Sequence, residues 1–154
     1  MAVKNLIAIT SGDHNGIGPE VIAKGIFALK KQVNPSQLLV FGDPDLYLPY
    51  KNLLPKKWNI FSEDGFSSYL KTPEKNSISF YLPSVPKKHE KKSSAFLCGR
   101  YIELATEFCM KKICGAMVTG PINKNELRLG GYLYDGHTEM LKEQSGAKSV
   151  TMML

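Results

Sequence analysis

The fold of this chain is decided by the stretch Ile9-Thr10-Ser11-Gly12-Asp13-His14-Asn15-Gly16-Ile17-Gly18-Pro19-Glu20. An apolar, strand-like segment, Leu6-Ile7-Ala8-Ile9, leads into it, and an apolar helical pattern follows it. Strand, glycine-rich turn and helix in that order bring backbone N–H groups together, where they can bind an anion or a cofactor. Glycines lack a Cβ atom, so they permit a sharp turn or the close approach of a ligand, and three lie here: Gly12, Gly16 and Gly18.

The spacing of these glycines, Gly-x3-Gly-x-Gly, differs from both common phosphate-binding patterns. It is not the dinucleotide pattern G-x-G-x-x-G, and no G-K-[ST] of a P-loop follows. Taken alone, the stretch is equally typical of a tight strand-to-helix connection that binds nothing.

Strand and helix patterns alternate along the chain. The predicted strands cover residues 6–10, 37–42, 58–61, 77–82 and 116–119, and another begins at 149; the predicted helices cover 19–31, 93–112 and 123–129, and another opens at 136–138. Asp43, Ser93 or Ser94, and Thr138 are the candidate helix caps. This order predicts an α/β fold with a parallel or mixed sheet and flanking helices. The chain stops in the middle of an apolar strand pattern, Val150-Thr151-Met152-Met153-Leu154, so we expect a truncated chain.

Composition restricts the class of protein. An apolar content of 43% with 22% charged residues is typical of soluble globular proteins. No apolar run approaches the roughly 20 residues that cross a bilayer, and the N-terminus lacks a signal-peptide pattern. Cys98, Cys109 and Cys114 form no C-x-x-C motif, so we expect reduced thiols in a cytoplasmic protein.

The net charge of +6 raises the hypothesis of nucleic-acid binding. Only Arg100 and Arg128 are arginines, however, and the densest basic cluster, residues 86–92, contains no aromatic residue. Recognition and stacking of bases favour arginine and aromatic side chains. The charge therefore indicates a solvated, lysine-rich surface that can also attract a phosphorylated small molecule, and we expect no nucleic-acid or membrane partner.

Two further motifs have the same kind of chemistry. Val118-Thr119-Gly120-Pro121-Ile122-Asn123-Lys124 predicts a strand, a turn and a helix start, where Lys124 could meet a phosphate or carboxylate. Asp135-Gly136-His137-Thr138-Glu139 places an imidazole beside a hydroxyl at another helix start. Taken alone, the first of these motifs is more typical of an exposed lysine on a first helical turn, and the second is more typical of a capped helix with a surface histidine. If all three motifs follow strands of one parallel sheet, they lie at the same edge, where α/β proteins bind ligands.

A metal site made by the three histidines is not predicted. His14, His89 and His137 lack the short spacing of metal-binding pairs, and His89 belongs to the lysine-rich segment.

Together, these three motifs and the terminal Val150-Thr151-Met152-Met153-Leu154 resemble the 4-hydroxythreonine-4-phosphate dehydrogenase family of vitamin B6 biosynthesis. The resemblance covers the whole chain, as the N-terminal part of such an enzyme. It implies a fold similar to isocitrate and isopropylmalate dehydrogenases, with two α/β domains, a cleft and a homodimer. It also implies NAD-dependent oxidation of 4-phosphooxy-L-threonine, assisted by a divalent metal, to a β-keto acid that loses CO2.

The resemblance also implies roles for individual residues. His137 and Thr138 match the family's substrate-binding pair. The cleft loop and a motif lysine are matched by Gly12, Asp13, Gly16, Gly18 and Lys124. The family's metal-binding histidines, most of its NAD site and the basic residues that hold substrate fall in motifs beyond Leu154. The family commonly has Pro-Ala where this chain has His14-Asn15.

Three alternatives remain open from the sequence. The first is a dehydrogenase of another four-carbon hydroxy-acid phosphate, D-threonate or D-erythronate 4-phosphate. The second is a noncatalytic domain that binds phosphates or nucleic acid through its lysines. The third is a conventional Rossmann domain that uses Asp43 to bind ribose, although the glycine spacing is wrong for it.

Overall fold

A computed structural model describes residues 6–62 and 75–151 of the chain. The strands are β1 (Leu6–Thr10), β2 (Leu38–Phe41), β3 (Lys57–Phe61), β4 (Ser77–Tyr81) and β5 (Cys114–Thr119). The α-helices are α1 (Gly18–Ala28), α2 (Ser93–Met110), α3 (Lys124–Leu129) and α4 (His137–Ser145). Three segments are 3₁₀-helical: Pro35–Gln37, Pro44–Leu53 and Lys87–Lys92.

The five strands form one parallel sheet in the order β3-β4-β2-β1-β5. The first strand of the chain is therefore internal, and Ile9 lies between Val40 of β2 and Val118 of β5. The predicted α/β fold is confirmed, with every described pairing parallel.

Helices cover the sheet on two faces. Because side chains alternate between the faces of a strand, each strand supplies apolar residues to both sides. On one face, α1 and the segment Pro44–Leu53 pack against the sheet around Ile9, Ala23, Ile26, Val40, Tyr47, Ile78 and Phe80. On the opposite face, α2 packs against it around Ala8, Leu39, Phe41, Tyr101, Leu104 and Phe108. A third cluster, Ile102, Leu127 and Met140, joins α3 and α4 to the outer side of α2.

The predicted caps have different outcomes. Asp43 is the expected cap, because its carboxylate accepts a hydrogen bond from the Asp45 N–H at 2.9 Å. The cap predicted at Ser93 or Ser94 is wrong: the chain enters α2 directly from a 3₁₀ segment, so Ser93 is already helical and no side chain caps the end. The cap predicted at Thr138 is also wrong, since Gly136 holds that position and Thr138 lies within α4.

Two more predicted elements differ from the structure. The first helix ends at Ala28, three residues early, and residues 149–151 belong to no strand. The rest of that predicted strand, residues 152–154, lies outside the described residues.

The three cysteines are free thiols, and burial raises the pKa of Cys98 and Cys114 to about 12. Within the described ranges, no helix has the length and apolarity to cross a membrane.

Candidate functional site

The loops that follow β1 and β5 are joined at the carboxyl edge of the sheet. The Asp13 N–H donates to the Pro121 carbonyl at 3.0 Å, and the Ser11 N–H donates to the Phe41 carbonyl of β2 at 2.9 Å. The first two sequence motifs are therefore brought together at one edge, as predicted.

Ser11 is the centre of this junction. A Cβ atom on Gly18 or on Gly120 would overlap the Ser11 carbonyl, and one on Gly42 would overlap the Ser11 hydroxyl. That hydroxyl lies 2.7 Å from the hydroxyl of Tyr47, and both residues are buried. The three glycines thus allow the start of α1 and the loops after β2 and β5 to pack against Ser11. The sequence analysis did not single out Ser11, Gly42 or Tyr47. The glycines that directly follow β2 and β5 were the feature of the sequence that could have indicated close packing here.

The two other glycines of the first motif also lie against the chain itself. Gly12 has φ of +77°, a left-handed conformation that favours glycine, and its missing Cβ would overlap the Pro121 carbonyl. A Cβ on Gly16 would lie 3.3 Å from Asp13, whose carbonyl accepts the Gly16 N–H. At Gly12 the space that a side chain would fill is taken by backbone, and at Gly16 it is narrowed by Asp13. The predicted role of these residues in a ligand cleft stays a prediction.

His14 is tied to the long helix α2. Its Nε2 atom lies 3.0 Å from the hydroxyl of Tyr101, and the two rings are nearly parallel at 16°. Burial lowers the pKa of His14, while the carboxylates of Asp43 and Asp13 act in the opposite direction. Burial raises the pKa of Tyr101, so its hydroxyl keeps its proton. His14 therefore fastens the β1–α1 loop to α2 through a neutral pair.

Lys124 is the first residue of α3, and its side chain is exposed. Asn123 caps this helix by accepting the N–H groups of Asn125 and Glu126. Within residues 6–62 and 75–151, no ion pair holds the Lys124 ammonium group.

The third motif does not follow a strand, so the expected placement of all three motifs at strand ends is wrong for this one. His137 and Thr138 open α4, which is reached from α3 through a loop and packs on α2 through Met140. Gly136 and Thr138 are of residue types that begin helices whether or not a strand comes before them. The motif therefore did not indicate which element precedes it.

His137 carries an unpaired polar atom. Its ring is partly buried, and its Nε2 atom is buried with no hydrogen-bond partner among the described residues. Burial lowers the pKa of His137, which favours the neutral imidazole. Thr138 lies beside it and is also partly buried. A neutral imidazole and a hydroxyl can bind a phosphate or hydroxyl group by donating or accepting hydrogen bonds.

The described residues do not form a metal centre. Across 6–62 and 75–151, no group of three or more His, Cys, Asp or Glu side chains is arranged to hold an ion. His14 contacts Tyr101, and His89 stacks on Phe96 with 4.3 Å between ring centroids.

The parallel sheet and the loops joined at its carboxyl edge define an α/β protein of the kind that binds small ligands at that edge. The model of the family described as "Pyridoxal phosphate biosynthetic protein PdxA" matches residues 34–154. This chain belongs to that family.

Curated relatives agree with this assignment. D-threonate 4-phosphate dehydrogenase of Cupriavidus necator is 34% identical over 157 residues, covering 97% of this chain and 45% of the relative. A 4-hydroxythreonine-4-phosphate dehydrogenase of Desulfosudis oleivorans is 29% identical, covering 100% of this chain and 46% of the relative. The chain thus spans less than half the length of these relatives.

A solved structure has the same architecture. The crystal structure of a 4-hydroxythreonine-4-phosphate dehydrogenase from Burkholderia phymatum superposes with a TM-score of 0.70 at 27% identity, covering 94% of this chain and 44% of that one. The α/β arrangement is therefore the one found in part of these dehydrogenases.

Proposed function

We propose that residues 1–154 are the N-terminal part of a two-domain dehydrogenase that oxidises 4-phosphooxy-L-threonine with NAD and a divalent metal. The product is a β-keto acid that loses CO2, a step in making pyridoxal 5'-phosphate. The observation that carries the proposal is the family match over residues 34–154, together with the 4-hydroxythreonine-4-phosphate dehydrogenases among the relatives. A cytoplasmic homodimer is part of the same proposal.

Within this enzyme, the described residues contribute to substrate binding. His137 offers a buried, unpaired Nε2 atom, and Thr138 offers a hydroxyl at the start of α4. The neutral imidazole can hold a substrate hydroxyl or phosphate oxygen without introducing a charge, and the helix N-terminus favours an anion beside it. The β1–α1 loop forms another side of the proposed substrate site. Ser11 holds this loop through the Tyr47 hydroxyl, and His14 holds it through the Tyr101 hydroxyl.

The described residues do not fit either cofactor. A pyrophosphate needs open backbone at glycine positions, but the chain's own carbonyls occupy that space at Gly12, Gly18 and Gly120. No metal-binding cluster is present in the described part. We propose that the metal ligands and most of the NAD site of the enzyme lie beyond Leu154, as the family resemblance implies, and we assign no step of the reaction at those sites to this chain.

A second candidate substrate is D-threonate 4-phosphate or its D-erythronate analogue. The Cupriavidus necator relative, at 34% identity, is named for D-threonate 4-phosphate. Both substrates are phosphorylated four-carbon hydroxy acids, so His137 and Thr138 could serve either.

The experiment that tests the proposal compares the two substrates directly. The protein is purified from its natural host under native conditions, and NADH formation is followed with each phosphorylated acid and a series of divalent metals. Metal-dependent turnover of 4-phosphooxy-L-threonine is the expected result. Preferred turnover of D-threonate 4-phosphate would select the second candidate, and no turnover of either would reject dehydrogenase function.

A further inference from the structure

Tyr132 connects the loop between α3 and α4 to the long helix α2. It lies five residues before His137 in the chain. Its neighbour Leu133 is 85% exposed, whereas Tyr132 is partly buried and its ring lies on Gly99 of α2. A Cβ atom at Gly99 would overlap that ring, so the glycine provides the space that the tyrosine fills.

The Tyr132 hydroxyl contacts a charged pair on the same helix. It donates a hydrogen bond to the Oε2 atom of Glu103 at 3.2 Å, and that oxygen also accepts a hydrogen bond from Arg100 Nη1 at 2.7 Å. Burial and the Glu103 carboxylate raise the pKa of Tyr132, so its hydroxyl keeps the proton that it donates. Hydrogen bonds to an ionised group are stronger than neutral ones. Helix α2 therefore holds both the ring and the hydroxyl of Tyr132.

The residues directly before His137 are held less firmly. Asp135 pairs with Arg128, but the two side chains are 74% and 54% exposed, and such surface pairs contribute about 0–1 kcal/mol. The N-cap of α4 is Gly136, and in the described part of the chain no side chain caps that end. The end of the loop itself therefore does little to fix the first turn of α4.

Two inward-facing residues lie on either side of His137 in the chain. Tyr132 before it and Met140 after it both pack at the apolar cluster around Ile102 of α2. Residues three apart lie on the same face of a helix, so Met140 lies one turn along α4 from His137. Met140 thus holds α4 against α2, and Tyr132 holds the chain where it approaches that helix.

The position of the His137 imidazole is important because its Nε2 atom is unpaired. That atom is buried and has no hydrogen-bond partner among the described residues. A buried polar atom without a partner costs roughly 1–3 kcal/mol, which a ligand that bonds to it can recover. Hydrogen bonds require a narrow range of distances and angles, and a misplacement of about 1 Å can cost roughly a hundredfold in rate. The first turn of α4 must therefore be held closely for His137 to bind a substrate oxygen.

We propose that Tyr132 is a positioning residue for substrate binding: held by Gly99 and Glu103 of α2, it fixes the approach to α4 so that the Nε2 atom of His137 faces the substrate. Tyr132 acts through the loop rather than by contact with the substrate. This role rests on the proposed function of His137, and it adds Tyr132, Glu103 and Arg100 to the residues on which that function depends.

Nuclear magnetic resonance of the imidazoles tests the position of His137 without a substrate. Histidine-labelled protein is purified from its natural host as wild type, as Tyr132→Phe and as Tyr50→Phe, and the resonance lost in His137→Ala identifies His137. Burial lowers the pKa of His137 in the native fold. In Tyr132→Phe we expect that pKa to rise toward 6.5, because a displaced ring gains contact with water.

Tyr50→Phe is the matched control. Lys24 and, less strongly, the Tyr50 hydroxyl lower the pKa of Glu20, so Tyr50 also places a hydroxyl beside a carboxylate that a basic side chain holds. Tyr50 packs at the cluster on the opposite face of the sheet from α2. Its variant loses one tyrosine hydroxyl, as Tyr132→Phe does, and should leave the titration of His137 and the substrate affinity unchanged.

Substrate affinity tests whether this positioning serves binding. Calorimetry measures the affinity for 4-phosphooxy-L-threonine and for D-threonate 4-phosphate, and the NADH assay gives kcat and KM. Tyr132→Phe should weaken binding roughly 2–10-fold, the equivalent of one ordinary hydrogen bond, and should act mainly on KM. In a His137→Ala background the same change should have no further effect, because it acts through His137. Glu103→Gln, which keeps an acceptor for the Tyr132 hydroxyl, should bind substrate more tightly than Glu103→Ala.

A purely structural role for Tyr132 predicts a different result. It would lower the melting temperature of Tyr132→Phe and leave both the titration of His137 and the affinity of the folded protein as in wild type, which would overturn the proposal. Additive losses in the Tyr132→Phe/His137→Ala double variant, or a loss of affinity with an unchanged His137 titration, would overturn it as well. Glu103→Ala provides the same tests if Tyr132→Phe folds poorly.

Failure of the proposed function is distinguishable from failure of this inference. Wild-type protein that binds neither substrate would reject the proposed function and with it the substrate role of Tyr132, although a changed titration of His137 would still show that Tyr132 positions the imidazole. Turnover by wild type with an unchanged His137 titration in Tyr132→Phe would support the dehydrogenase and reject the positioning role.

Discussion

Replacing Gly18 with alanine tests whether the first motif is a packing junction. Gly18 is the first residue of α1 and is buried. The added Cβ would overlap the backbone carbonyl of Ser11, which cannot rotate away because the Ser11 N–H is bonded to Phe41 and its hydroxyl to Tyr47.

The expected loss of stability follows from this overlap. Forcing an extra methyl group into a well-packed site costs about 1–3 kcal/mol, because backbone or side chains must shift. Because the neighbouring atom is the backbone carbonyl of Ser11, a residue that its N–H and its hydroxyl both hold in place, we expect a loss in the upper part of that range. For a domain of this size, each kcal/mol lowers the melting temperature by roughly 2–4 °C, so a loss of about 2–3 kcal/mol should lower it by roughly 4–12 °C.

The matched control lies in the same helix. A Cβ on Gly25 would meet nothing within 4 Å, and alanine is a better helix former than glycine by about 0.5–1 kcal/mol. Gly25→Ala should therefore raise the melting temperature where Gly18→Ala lowers it. Thermal unfolding followed by circular dichroism measures both. A melting temperature of Gly18→Ala that equals or exceeds that of Gly25→Ala would refute the packing role and would favour the interpretation in which a ligand approaches the loop at Gly18.

Three more predictions concern the polar groups of the site. Ser11→Ala should cost about 1–3 kcal/mol, because the buried Tyr47 hydroxyl loses its partner; in denaturant unfolding the Ser11→Ala/Tyr47→Phe double variant should recover part of that loss, and strictly additive losses would contradict the pairing. Burial lowers the pKa of both His14 and His137 from 6.5, so the unfolded chain binds more protons below that pH; stability should be complete above about pH 6.5 and fall on acidification, and a melting temperature that rises toward acid would show the opposite sign. His137→Ala in the native protein should weaken substrate binding with little change in melting temperature; unchanged affinity in calorimetry would remove this residue from the site.

The sequence predicted the framework of the fold well, because strands and helices have local periodicities. β1 was predicted at its observed bounds, and β2 and β4 were predicted within one residue of theirs. Asp43 was identified as a cap because its carboxylate bonds an N–H two residues away.

The candidate site was predicted only in part, because its contacts join distant residues. The Gly120 N–H reaches the Thr10 side chain across 110 positions, and His14 reaches Tyr101 across 87. No local pattern records such contacts. Likewise, glycine spacing alone cannot distinguish space for a ligand from space for the Ser11 carbonyl, so the packing role of Gly18 required the structure.

The internal position of β1 imposes an order on folding during synthesis. Only α1 and the short 3₁₀ segment Pro35–Gln37 separate β1 from β2, so these strands can pair as soon as residue 41 has emerged. The other side of β1 must wait for β5, which begins at Cys114. With synthesis at about 5–20 residues per second, this side of the strand stays unpaired for several seconds. The nascent chain therefore presents an apolar parallel edge on β1 before it presents one on β5, and this early edge is where a chaperone would act.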